Sequence, residues 1–128
     1  MAVPEDTVRE VIERLFAAWN GHNLEAFLDC FEPSYESRWP LAPDLDFGGR
    51  ESVRRRWGAN FADLPDFRAD LLALSVQDGE AWVELRWRGT RVDGSRFAYQ
   101  GVIIYGIVGA RIASGRLYLQ PLRETTGP

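Results

Sequence analysis

Three features of the 128-residue chain predict an α+β fold. Apolar residues recur at helical spacing through the first twenty positions. Alternating and continuous apolar runs fill the second half. Turn signals cut that second half into segments of strand length.

The elements follow in order. Val8, Val11, Ile12, Leu15, Phe16 and Trp19 form one helical stripe. Pro4 suits the first turn, Glu5 and Asp6 suit the positive end of the helix dipole, and Gly21 suits the stop. Asn23 can cap a second, short helix carrying Leu24, Phe27, Leu28 and Phe31, which Pro33 ends. "SYESRW", residues 34–39, reads as a short strand, and "PLAPDLDFGG" as a loop. A third helix is expected from about residue 50 to 61, with Val53, Trp57 and Phe61 on one face. Strands are expected near 66–76, 80–90, 96–108 and 111–120. Asp93-Gly94 signals one hairpin and "VGAR" another. Helices therefore come first and a mostly antiparallel meander follows. The chain reads as one domain over 1–122 with a disordered tail over 123–128.

"GVIIYGIV", residues 101–108, is apolar on both faces, so both sides of its sheet need cover. The helices can cover one side, and a second copy of the chain is the simplest cover for the other. A homodimer is the expectation.

Composition narrows the function. A net charge of -4 and a pI near 5.0 argue against nucleic-acid binding, which needs a basic face for phosphates. The basic residues are all arginines, so Schiff-base and lysine general-base chemistry is excluded. One cysteine, Cys30, permits no intrachain disulfide. With one histidine, His22, it leaves little for a transition-metal site. Neither a Gly-rich phosphate loop nor a serine nucleophile elbow is present, so no metal or cofactor is expected. His22 follows the helix stop and suits a surface cap, and Cys30 suits a buried helix face. No apolar run approaches the ~20 residues of a membrane span. The first twenty residues are amphipathic and charged, unlike a signal peptide, so a cytoplasmic protein is expected.

"AWVELRWRG", residues 81–89, poses the functional question. One face carries Ala81, Val83, Leu85 and Trp87, and the other Trp82, Glu84, Arg86 and Arg88. Pattern alone favours the charges outward. Were the charges inward, Glu84 and Arg86 would be same-face neighbours. The arginine would keep Glu84 ionised for a base role and could itself bind a carboxylate or developing oxyanion.

The helix 1–helix 2 junction "LFAAWNGHNLEAFLDCFEPSY", the helix 3 opening "GGRESVRRRW" and the sheet stretch "GVIIYGIVGARI" together resemble the SnoaL-like branch of the nuclear transport factor 2-like superfamily, over about residues 5–122. The resemblance implies a cone-shaped roll, with three N-terminal helices packed on a curved, mostly antiparallel sheet around an internal pocket. It also implies cofactor-independent acid–base chemistry on an apolar small molecule. Position by position, the ketosteroid isomerase donor falls on Leu15, its base at or beside Trp39, and its protonated acid on Ile103. The charged strand pair of limonene epoxide hydrolase falls on Glu84 and Arg86 in reversed order, and its last-strand acid on Leu117. Neither catalytic set is complete.

That register turns Trp82, Glu84, Arg86 and Arg88 toward the pocket and Val83, Leu85 and Trp87 toward the dimer partner. A turn centred on Asp93-Gly94 would place 84 opposite 103 and 86 opposite 101. Glu84 and Arg86 are thus the candidate catalytic pair. Leu15, Trp19, Trp57, Trp82, Ile103, Tyr105 and Leu117 are candidate lining residues. On the first strand, Glu36 with Arg38, or else Trp39, faces the pocket. On the last strand the choice is Leu117 or its neighbours Arg116 and Tyr118. Three readings follow: an isomerase, cyclase, lyase or hydrolase; a non-catalytic carrier of an apolar ligand; or a dimeric scaffold whose own aromatics fill the pocket.

Overall fold

The computed structural model describes residues 3–123. In chain order the elements are α1 (Glu5–Asn20), α2 (Leu24–Leu28), β1 (Phe31–Arg38), a 3-10 turn (Pro43–Leu45), β2 (Phe47–Gly48), α3 (Arg50–Asp63), β3 (Arg68–Gln77), β4 (Glu80–Thr90), β5 (Arg96–Val108) and β6 (Arg111–Pro121). The six strands form one sheet in the order β2-β1-β6-β5-β4-β3. β6 pairs with β1 in parallel and every other pairing is antiparallel, so the sheet is mixed. The fold is α+β as expected. The helices do not all precede the strands, however, because β1 and β2 lie between α2 and α3. Residues 124–128 of the expected tail lie outside the described residues. Among the described residues no helix is long and apolar enough to cross a membrane.

α1 buries its stripe, with Val8, Val11, Ile12 and Leu15 all at zero exposure, against β3 and β4. Asn23 caps α2 by accepting the Ala26 N–H at 3.1 Å. This helix is shorter than its apolar spacing suggests. It stops at Leu28, and Phe31 and Pro33 belong to β1. Pro33 is tolerated there because the ladder to β6 shifts register between Phe31 and Glu36, so the missing N–H falls in an unpaired stretch.

The β4–β5 hairpin sets the orientation of the sheet. Asp93-Gly94 does turn the chain, but through a three-residue loop. Arg91 N–H donates to the Ser95 carbonyl and Gly94 N–H to the Arg91 carbonyl, with Gly94 at φ 90°. Glycine adopts that left-handed conformation at no steric cost. The longer loop moves the register by one residue. Glu84 pairs with Val102 and Arg86 with Gln100, while Ile103 pairs with Val83. Ala81, Val83 and Leu85 consequently face the helices at zero exposure. Trp82, Glu84 and Arg88 are exposed on the outer face and Arg86 is half-buried there. The energetics agree: turning Glu84 and Arg86 toward α1 would desolvate two charges in place of three aliphatic side chains.

Candidate functional site

The inner face of the sheet does not close fully onto the helices. It leaves a cavity of about 140 Å³. α1 and α2 supply Trp19 and Phe27, and α3 supplies Val53, Arg56, Trp57 and Asn60. β1 contributes Phe31, Tyr35 and Ser37, with Trp39 just beyond it and Phe47 from β2. Trp87, Tyr105 and Leu117 come from β4, β5 and β6. An outer chamber of about 530 Å³ shares Trp39, Asn60, Trp87 and Leu117 with it and adds the apolar side chains of Leu41, Leu45, Phe97 and Leu119.

Aromatic packing shapes the inner chamber. The rings of Trp19, Trp57 and Trp87 lie 5.1–5.7 Å apart, edge-on or tilted, and Phe27 lies 5.5 Å from Trp57. Edge-on and tilted contacts are the favoured geometry of aromatic pairs, and the cavity borders this cluster.

The polar groups of the chamber are few: hydroxyls, the Asn60 amide, tryptophan indoles and one guanidinium. Trp19 and Trp87 are buried, and their indole Nε1–H groups have no hydrogen-bond partner. A buried, unpaired donor costs about 1–3 kcal/mol. Burial pushes the Tyr35 phenol up to about 12, with the Ser37 hydroxyl acting weakly the other way. Burial pushes the Tyr105 phenol well above its ordinary value too, with Tyr35 adding to the effect. Both are protonated at neutral pH and able to donate. Ser37, at 2% exposure, is the buried polar residue of β1. Gly115 makes room for this group: a Cβ there would sit 2.6 Å from the Tyr35 hydroxyl and 3.4 Å from the Tyr105 ring. Arg56 stands at the wall with its guanidinium 4.0 Å above the Phe47 ring. It makes no ion pair or side-chain hydrogen bond among the described residues. Among the described residues no carboxylate and no histidine lines the inner chamber. Among the described residues no group of three His, Cys, Asp or Glu is placed to hold a metal.

The candidates from the sequence divide. Trp19, Trp39, Trp57, Tyr105 and Leu117 line the inner chamber. Leu15 and Ile103 face inward but are packed into the core at zero exposure and do not line it. Trp39, not Arg38, takes the inward position on the first strand. Glu36 and Arg38 pair with each other on the outside at 3.0 Å. Leu117 takes the inward position on the last strand, and Arg116 reaches Glu80 at 3.2 Å on the outer face. Trp82, Glu84 and Arg86 lie on the outer face of β4, where Arg86 donates to Gln100 at 2.9 Å. The expected Glu84–Arg86 site is therefore not part of the cavity, and Trp87, expected at a partner, is. Sequence reasoning missed Tyr35, Ser37, Trp87, Asn60 and Arg56. Tyr35, Ser37 and Trp39 alternate along "YESRW", a pattern that could have marked them as one face.

The two reactive-looking singletons are structural. His22 stacks on Phe61 at 5.3 Å, and its Nε2 is 2.8 Å from the Phe67 carbonyl oxygen, away from the cavity. The Cys30 thiol is buried, donates to the Ala26 carbonyl, and has its pKa raised by burial.

Known proteins share this architecture. A protein from Catenulispora acidiphila with a ketosteroid isomerase-like fold, solved in complex with trimethylamine, superposes with a TM-score of 0.73 at 18% identity, over 85% of this chain and 84% of that one. TsrD from Streptomyces laurentii gives 0.75 at 20% identity, over 92% and 90%. Bal32a, from a soil-derived mobile gene cassette, gives 0.76 at 22% identity, over 89% of each chain. At these identities the likeness shows the fold. No curated protein matches the sequence. The SnoaL-like domain matches residues 12–115, most of the length of the chain, and the chain belongs to the SnoaL-like domain family.

Proposed function

We propose that the chain binds an apolar, ring-bearing small molecule that carries a hydrogen-bond acceptor, and that it does so without a general base of its own. The observation that carries this reading is the cavity itself, bordered by the rings of Trp19, Phe27, Trp57 and Trp87 with a few hydroxyl and amide groups among them. A carbonyl or similar acceptor would pair with a donor among the lining residues Tyr35, Ser37, Asn60 and Tyr105. A cavity of roughly 150 Å³ holds a benzene-sized body, so the inner chamber suits one ring and the outer chamber the rest of a larger ligand.

Catalysis is the second reading, favoured by one observation. Tyr35 and Tyr105 are both held as neutral phenols beside the cavity. Donors of that kind stabilise an oxyanion developing on a bound carbonyl. Chemistry limited to electrophilic assistance fits the lining; proton abstraction by Glu84 does not, because Glu84 is on the other face. A homodimer through the outer face belongs to the same proposal, supported by Trp82 at 42% and Tyr118 at 37% exposure amid charged neighbours. Light scattering of wild type and Trp82→Glu checks it, a monomeric wild type being the contrary result.

The matched pair 2-acetylnaphthalene and 2-ethylnaphthalene tests the binding reading by calorimetry. The ketone is expected to bind about five- to tenfold tighter, and Tyr35→Phe to shrink that gap. Failure of both to bind would overturn the reading. Conversion of a bound ketone would shift it toward the enzyme.

A further inference from the structure

We propose that the cavity selects by charge, taking an aromatic carboxylate or comparable organic anion with Arg56 as the group that meets its charge. This inference rests on the reading of the cavity as a small-molecule site and names the ligand class for it.

The polar groups of the inner lining are the hydroxyls of Tyr35, Ser37 and Tyr105, the Asn60 amide, the tryptophan indoles and the Arg56 guanidinium. The phenols of Tyr35 and Tyr105 stay protonated and can donate. Arg56 is the charged residue of the inner lining, and no carboxylate there offsets it. Many other arginines of the chain are already committed: Arg38 to Glu36, Arg54 to Glu25, Arg88 to Asp70 and Arg116 to Glu80. Arg56 instead has its guanidinium carbon 4.0 Å from the centre of the Phe47 ring. A guanidinium that rests on a ring and makes no ion pair keeps N–H donors for a bidentate carboxylate.

The opposite reading, an ammonium ligand held by the aromatic walls, has a physical basis in cation–π attraction. Here it meets an obstacle: the guanidinium in the same wall repels a second cation. An anion is attracted there instead, in a chain whose net charge of -4 by itself repels anions.

Isosteric probes isolate charge from shape. The full chain, labelled with ¹⁵N, is titrated with 2-naphthoate, 2-naphthamide and 2-naphthamidinium while the signals of its five tryptophan indole N–H groups are followed. Naphthoate is expected to bind about tenfold tighter than naphthamide and naphthamidinium to bind weakest. Added salt narrows the gap. Arg56→Gln lowers naphthoate affinity to that of the amide, and Arg56→Lys retains part of the preference; Arg56 is exposed, so neither change threatens folding. Equal affinity for naphthoate and naphthamide, or tightest binding of naphthamidinium, would overturn the charge selection and leave the pocket reading standing. Indole signals that move with none of the three would overturn both.

Discussion

Strand β4 presents two unlike surfaces to two unlike surroundings. Inward, Ala81, Val83 and Leu85 have no exposure, and Trp87 borders the cavity. Outward, Trp82, Glu84, Arg86 and Arg88 meet solvent and each other's neighbours across the ladder, with Arg88 bonded to Asp70 and Arg86 to Gln100. The charges are on the face without the cavity. The face with the cavity has hydroxyls, indoles, one amide and one guanidinium. In this chain the residues that look most chemical in sequence decorate the outside, and most polar groups along the cavity belong to aromatic side chains counted as hydrophobic.

The comparison can be broken most forcefully by truncation on each face. Leu85→Ala removes a fully buried side chain and is expected to cost about 2–5 kcal/mol of unfolding free energy in urea. Glu84→Ala, one residue away, is expected to stay within about 0.5 kcal/mol. Equal costs would mean that the faces are misassigned.

Next in size is Gly115→Ala. The added methyl group presses on the Tyr35 hydroxyl, so a destabilisation of about 1–3 kcal/mol is expected, together with weakened binding of 2-acetylnaphthalene. Retained stability and affinity would show that Tyr35 is free to move.

The buried phenol adds a pH signature. Tyr35 is raised from 10 to about 12 in the folded chain, so between those values the unfolded chain holds fewer protons than the folded one. Stability from this group is then complete below pH 10 and is lost as pH rises toward 12, by an amount on the order of 2–3 kcal/mol. Tyr105 shifts in the same direction. Alkaline titration of urea stability is expected to fall across that window in wild type and to fall less in Tyr35→Phe. An identical slope in the two proteins would place the phenol in water.

The smallest effect sharpens the contrast. Glu84→Gln is expected to change the affinity of any cavity ligand by less than about twofold, since it removes a charge from the far side of the sheet. A large loss would bring Glu84 back into the site.

Much of the fold was legible because its signals are periodic and local. The stripe of α1, the β3–β6 strands and the Asp93-Gly94 turn all follow from spacing and turn chemistry. The pattern of Ala81, Val83 and Leu85 also pointed to the right face. What overrode it was the register implied by the family resemblance, with which an assumed two-residue turn aligning Glu84 with Ile103 agreed. Gly94 accepts either a two- or a three-residue loop, and one residue of loop length decides which side chains oppose each other. β1 was harder for a different reason. Pro33 ends helices and also sits in bulges, and only the parallel pairing of β1 with β6, a contact distant in sequence, tells the two apart. The cavity itself was only partly legible. Trp19, Trp39, Trp57, Tyr105 and Leu117 could be named from register. A gap between aromatic rings is a property of three-dimensional packing, and Tyr35, Ser37 and Arg56 come together from β1 and α3 only after folding.

Trp82 and Trp87 lie on opposite faces of one strand, which makes them matched reporters for the central claim. The most direct measurement is of nuclear Overhauser effects from the ring protons of bound 2-acetylnaphthalene to tryptophan side chains. Cross-peaks to Trp87, Trp19 and Trp57 with none to Trp82 are predicted. Cross-peaks to Trp82 in place of Trp87 would put the ligand on the charged face and contradict the account.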